Sequence, residues 1–475
     1  MKQIKVLLLL LFLTFSFLGA EINIKNLKVE YDTTPLGIDV IKPRFSWQMQ
    51  QDNFQRGARQ KAFQLVVTDE AGRVVWNSGK QKNDQSLNMV YAGAALTPST
   101  RYIWKVNVWD QDKKKHTATS WFETGLMNPG MSGWSGAKWI GGGDLVLFAQ
   151  YLPVFKIDCS IQLDEKTQST RAGMVYGVND RRLMDKNKNL FHLENKQNES
   201  YVLVELNIAP LATGQSAQLI IYRVGYHPAD KKEIPLKTCS IPKSLVSDSN
   251  KYAVHDLHIY SNMGLTQVFI DGVEKNNQIA DLNINPMGRG GDAIAFPVLG
   301  NVGCFVPENQ SATFPYVGIR NFRSPSNLLY RTDFQSIKGI KGGSLQVVDP
   351  SCNSMPMLRT TFTAPQVKIT QARLYVTSRG IYDVYLNGKR INDDYFNPGL
   401  TQYNKTQLYQ TFDVTELVQE GENVMGAVLG EGWWSGGATY MGEYWNTFGD
   451  RQSLLAKLMI TYANGKQDVI VTNPS

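Results

Sequence analysis

The sequence predicts an all-β chain of several domains, and three observations carry that expectation. At roughly 150 residues per domain, 475 residues point to a small number of domains rather than one. Forty Gly and 19 Pro, with 10 Trp, 21 Tyr and 20 Phe, favour short strands and tight turns over helical bundles. A composition that is 42% hydrophobic and 19% charged is that of a folded globular protein. The net charge of +7 is modest, and apart from Lys113-Lys114-Lys115 the basic residues are scattered, so a nucleic-acid partner is not expected.

The chain opens with Lys2 and Lys5, an apolar run from Val6 to Leu13, and Leu18-Gly19-Ala20 before Glu21. That three-part layout is that of a secretory signal peptide, so residues 1–20 are expected to be removed and the remainder exported to the periplasm, cell surface or medium. No later stretch approaches the ~20 apolar residues of a membrane helix, so no membrane span is expected in the mature chain. Cys159, Cys239, Cys304 and Cys352 are widely spaced without a CxxC pair, which leaves disulfides and free buried thiols both open. His255 and His258 lie three apart in a strand-like run, so their side chains point to opposite faces and do not share a metal.

Residues 21–127 alternate strands with turns. In the strand 102–110, Tyr102, Trp104, Val106 and Val108 share one face, and Leu96, Pro98 and Tyr102 have the spacing of a tyrosine corner. With Phe45-Ser46-Trp47 and 63–67 upstream and 121–125 closing it, the segment resembles a fibronectin type III sandwich, usually a spacer. A breaker-rich linker, 128–133, follows.

Residues 144–343 hold further strands at 172–178, 201–206, 219–224 and 316–322, with Asp271-Gly272 as a hairpin signal after 267–270. Together these resemble a concanavalin or laminin-G-like jelly roll. Hydrolases on that fold carry carboxylates at alternate positions of one strand, and no such triplet occurs; Glu194, Glu199 and Glu205 are scattered and read as solvated surface charges.

From 344 onward come alternating strands and an Asn387-Gly388 turn, then an aromatic cluster of Trp433, Trp434, Tyr440, Tyr444 and Trp445. Sugar rings stack their C–H faces on Trp and Tyr while their hydroxyls take carboxylate or amide partners. Asn392-Asp393-Asp394 and Asn397 supply such groups, and clustered oxygen donors also suit calcium. The residues alone equally allow a Trp-filled core and a turn solvated by its acids.

Ser378-Arg379-Gly380-Ile381-Tyr382, Leu386-Asn387-Gly388-Lys389-Arg390, Pro398-Gly399, Tyr403, Tyr409, Phe412-Asp413-Val414-Thr415 and Gly430-Glu431-Gly432-Trp433-Trp434 together resemble the N-terminal β-sandwich of bacterial α-L-rhamnosidases of glycoside hydrolase family seventy-eight. The order of domains fits that family too: the resemblance implies a discontinuous sandwich from 137–143 plus 344–475, with the jelly roll of 144–343 inserted in it. It also implies two catalytic carboxylic acids in an (α/α)₆ barrel beyond the sandwich, so no catalytic residue is assigned here. The expected function is an accessory, carbohydrate-binding region of an exported, truncated or split α-L-rhamnosidase acting on L-rhamnose-containing oligo- or polysaccharides, inactive without a separate catalytic barrel. The alternative is a stand-alone exported glycan-binding protein. By the same resemblance Asp393 and Asp394 would hold calcium and sugar, with Asn397 beside them and Trp433, Trp434 and Tyr440 as the stacking surface.

Overall fold

The computed structural model describes residues 22–51, 57–143, 147–288, 296–322, 328–352, 355–437 and 446–474, and nearly all of its regular structure is strand. The signal-like residues 1–20 lie outside the described residues. No helix among the described residues is long and apolar enough to cross a membrane.

The first sandwich contains β1 (Ile22–Val29), β2 (Arg44–Gln51), β3 (Gln60–Asp69), β4 (Val74–Asn77), β5 (Met89–Val90), β6 (Arg101–Asp110) and β7 (Lys115–Glu123). Its sheets run β1-β2-β5 and β4-β3-β6-β7. Period-two alternation in β6 buries Tyr102, Trp104, Val106 and Val108 against Phe45, Trp47 and Phe122. The Tyr102 hydroxyl accepts a hydrogen bond from the Thr97 amide at 2.9 Å, the tyrosine corner expected from the sequence.

After the linker, β8 (Ile140–Gly141) pairs with Ser453 and Leu454, more than three hundred residues on, before the chain enters the jelly roll. That domain comprises β9 (Val154–Leu163), β10 (Arg171–Val178), β11 (Tyr201–Asn207), β12 (Gln218–Val224), β13 (Lys237–Ser240), β14 (His255–Asn262), β15 (Leu265–Ile270), β16 (Gln278–Asn283), β17 (Asn301–Val306), β18 (Ser311–Asn321), β19 (Leu328–Lys338) and β20 (Ser344–Val348). Two six-stranded sheets, β13-β12-β11-β10-β17-β20 and β16-β15-β14-β9-β18-β19, enclose the largest apolar core of the chain.

A tight hairpin joins β14 to β15 through Met263 and Gly264, both at positive φ, with Asn262 opposite Leu265. Asp271-Gly272 opens the longer connection by which β15 turns back to its antiparallel neighbour β16, the hairpin read from the sequence. One sequence expectation needs correction here. Ser344–Val348, expected to open the last sandwich, pairs with β17 as an edge strand of the jelly roll. Cys159, Cys239 and Cys304 are free thiols, with Cys159 and Cys304 buried.

The final sandwich comprises β21 (Met357–Ala364), β22 (Ile369–Arg379), β23 (Ile381–Leu386), β24 (Lys389–Arg390), β25 (Gln410–Asp413), β26 (Gly421–Gly430), β27 (Ser453–Tyr462) and β28 (Gln467–Val471). Sheets β21-β26-β23-β24 and β25-β22-β27-β28 close on Leu374, Val376, Tyr382, Leu429, Leu458 and Ile460. Asn387 and Gly388, at φ 51° and 79°, form the expected two-residue turn between β23 and β24. The Asn387 side chain fastens it: Oδ1 accepts from the Val424 amide and Nδ2 donates to the Leu417 carbonyl.

Candidate functional site

The Asn-Gly turn delivers the chain into the loop 391–399, which lies on the surface beside helix α1 (Gly432–Ser435). Arg390, at the end of the turn, ties the loop down. Its guanidinium pairs with Asp383 at 2.6 Å, donates to the Asp394 carbonyl at 2.7 Å and lies 5.0 Å over the Tyr395 ring. Asp393 and Asp394 are both exposed, and Asp394 Oδ2 accepts from the Asn392 amide at 2.8 Å. The sequence expectation placed calcium on these two carboxylates. They do not fit it well: a calcium ion takes about six to eight oxygen ligands, whereas here a guanidinium holds one nearby carbonyl and the Asn392 amide holds one carboxylate oxygen. No group of three or more His, Cys, Asp or Glu suited to a metal occurs among the described residues.

Asn397 is 6% exposed, and its carbonyl accepts from the Tyr382 amide at 3.0 Å, so it braces the loop from inside rather than presenting its amide to solvent. It precedes Pro398 through a cis peptide bond. Burial, with Asp394 and Asp383 adding to it, pushes the Tyr382 hydroxyl well above the usual tyrosine range, and that hydroxyl donates to Gln410 Oε1 at 2.7 Å.

The two tryptophans separate. Trp433 meets Phe396 with ring centroids 5.9 Å apart. Trp434 turns into the domain: it lies edge-on to Tyr403 at 5.7 Å and stacks on Phe448 at 6.4 Å, and its Nε1 is buried. The Cβ of any residue replacing Gly449 would fall 2.4 Å from that nitrogen. Trp434 thus packs against Tyr403 and Phe448 while remaining half-buried, as Trp433 is, and Tyr440 lies outside the described residues.

What the sequence reading passed over is the pair between the acids and Asn397. Tyr395 and Phe396 are 77% and 64% exposed, and with Met355, Ile381 and Gly430 they line a shallow cavity of about 160 Å³. Phe396 adopts the left-handed φ of 59°, uncommon for a residue other than Gly, and its exposed ring meets that of Trp433. The signal was present as two adjacent aromatics in an otherwise polar loop, positions where burial is not available. Trp433 and Phe396 meet with their rings tilted by 57°, and the exposed Tyr395 and Phe396 follow directly on Asp393 and Asp394, so the loop presents apolar rings beside carboxylates to a molecule with both C–H faces and hydroxyls.

Fold and surface thus define a modular all-β chain, two sandwiches flanking a jelly roll, with an aromatic and acidic edge on the last. Residues 24–128 match the Rha78A-like N-terminal immunoglobulin domain, and residues 367–475 match the α-L-rhamnosidase N-terminal domain. The chain is 29% identical over 464 residues to an α-L-rhamnosidase of Streptomyces avermitilis, covering 96% of this chain and 41% of that protein. An α-L-rhamnosidase of Alteromonas sp. strain LOR is 40% identical over 119 residues, 25% of this chain and 13% of that protein. The solved Streptomyces avermitilis α-L-rhamnosidase complexed with L-rhamnose shares the fold, with TM-score 0.51 and 23% identity over 96% of this chain and 40% of that one. Two segments of the chain thus match N-terminal domains of α-L-rhamnosidases, and the chain spans about two-fifths of the length of the Streptomyces relative.

Proposed function

We propose that this chain is the accessory, carbohydrate-recognising N-terminal region of an exported α-L-rhamnosidase, with hydrolysis performed by a catalytic domain outside it. The observation that carries the reading is the similarity to one α-L-rhamnosidase along 96% of the chain, with N-terminal rhamnosidase domains matched at both ends. L-Rhamnose-containing glycans are the proposed ligands. Their C–H faces would lie on Trp433 and Phe396, and their hydroxyls would donate to Asp393 and Asp394. Export is supported by the signal-like layout of residues 1–20.

Two measurements test this. A chromogenic aryl α-L-rhamnoside incubated with the chain alone should stay intact. L-Rhamnose should bind the chain, and Asp393→Ala or Trp433→Ala should weaken that binding without unfolding the last sandwich. Equal binding by parent and both variants would remove the edge from the account.

A further inference from the structure

The last sandwich is open along one side. Its two sheets end in the edge strands β21 and β28, and a cavity of about 600 Å³, lined from both sheets, lies between them. The volume falls within the about 300–1,000 Å³ of small-molecule sites.

Strand register explains the space. In one sheet the inward row at this level reads Leu358, Ala427, Val384. The other sheet faces it with Leu454 and Ala456 of β27, Ile470 of β28 and Ile140 of β8. Ala427 and Ala456 stand where the next inward positions of their strands carry Leu429 and Leu458, so the two sheets do not meet here. Ile140, Leu358, Met425 and Ile470 pack against the core yet stay only partly buried. Protein interiors are otherwise filled to a density of about 0.74.

The lining offers little to a polar ligand. Thr472 turns its hydroxyl back onto Ala456, where Oγ1 accepts from the amide at 3.2 Å and donates to the carbonyl at 3.4 Å. None of the described lining residues has a buried side-chain polar atom left without a partner. Water in such a space finds few partners, whereas apolar surface entering it gains about 25 cal/mol per Å². Trp139 also lines the cavity, with the Arg379 guanidinium 4.6 Å over its ring.

Charge narrows the ligand further. Arg359 is the only charged residue of the lining, and no carboxylate accompanies it. It alternates with Leu358 and Thr360 on the edge strand β21 and is exposed, so it belongs to the rim rather than the interior. A guanidinium there favours a carboxylate head and disfavours a cationic one.

We propose that this cavity is a fatty-acid site: the acyl chain lies between the sheets along Leu358, Ala427, Ala456 and Ile470, and the carboxylate meets Arg359 at the rim. The site is separate from the sugar recognition proposed for the loop 391–399 and does not rest on it.

The test is a calorimetric titration of the full chain with sodium decanoate below its micelle concentration, and with decanol as the uncharged counterpart. Decanoate should saturate the parent. Ala427→Leu and Ala456→Leu, which fill the cavity, should each weaken it roughly tenfold or more, with a thermal unfolding midpoint at or above that of the parent; Ala456→Val replaces them where Leu overfills the space. Arg359→Gln should weaken decanoate several-fold and leave decanol unchanged, while Asp393→Ala and Trp433→Ala alter neither. Absence of decanoate binding overturns the site, as does parental affinity in the folded filling variants or in Arg359→Gln. A dimer in sedimentation that the filling variants break, without decanoate binding, gives the opening to a second copy of the chain and also overturns it.

Discussion

Glu123, the last residue of the first sandwich's β7, holds Arg373 of the last sandwich in a two-pronged ion pair, Nε to Oε2 at 2.6 Å and Nη2 to Oε1 at 2.8 Å. Both side chains are at most 5% exposed. Arg101 donates to the same carboxylate from the first sandwich, and Asp413 takes the remaining face of Arg373 at 2.7 Å. Close by, the Tyr409 hydroxyl donates to Asp39 at 2.7 Å and accepts from the Leu126 amide at 2.8 Å. The two sandwiches are therefore joined by buried, directional contacts rather than by a flexible tether.

Breaking one side of that pair should be costly, because the surviving charge stays buried. Glu123→Gln or Arg373→Met alone is expected to destabilise the joined sandwiches by about 3–5 kcal/mol, and the double variant by less than either single change. Denaturant unfolding followed by tryptophan fluorescence checks this; additive losses would contradict it.

Tyr102→Phe removes only the hydroxyl of the tyrosine corner and leaves the Thr97 amide without its acceptor. The expected loss is about 1–3 kcal/mol, seen as a lower unfolding midpoint of the first sandwich with unchanged strand content by circular dichroism.

The two tryptophans should respond differently. Trp434→Ala removes one ring of the cluster it forms with Tyr403 and Phe448 and should cost about 3 kcal/mol. Trp433→Ala should change stability little and act on sugar binding. Thermal unfolding of the two variants side by side separates packing from recognition, and equal destabilisation would refute the distinction.

His255 supplies a pH dependence. Burial lowers its basicity, but the Asp271 carboxylate at 2.7 Å and the Asn250 carbonyl at 3.0 Å outweigh that, so it is held above its ordinary value of 6.5. A raised folded value means the pair's stabilisation is fully present below the unfolded value and is lost as pH rises through the folded one. The parent should therefore exceed His255→Gln in stability by more at about pH 6 than at about pH 9. A difference that grows with pH would contradict the assignment.

Local spacing made part of this legible in the sequence. The Leu96-Pro98-Tyr102 corner, the inward face of β6 and the Asn387-Gly388 turn are each written within a few residues, and each appears in the structure. Features set by distant pairing were not legible. Ser344–Val348 reads as any edge strand until β17 is seen beside it. Glu205 reads as a solvated charge and follows the alternation of β11 to the outer face, but there it is 0% exposed and paired with Arg171 of the neighbouring strand at 2.6 Å. Trp433 and Trp434 are neighbours in the chain, and a single helical turn sends one toward Phe396 and the other toward Tyr403 and Phe448.

The most direct test of the account is a calorimetric titration of residues 21–475 with L-rhamnose, in calcium and again in EDTA. Saturable heat of binding in both buffers, reduced in Asp393→Ala or Trp433→Ala, is the predicted result. The absence of heat in either buffer would contradict it and leave these domains as scaffold alone.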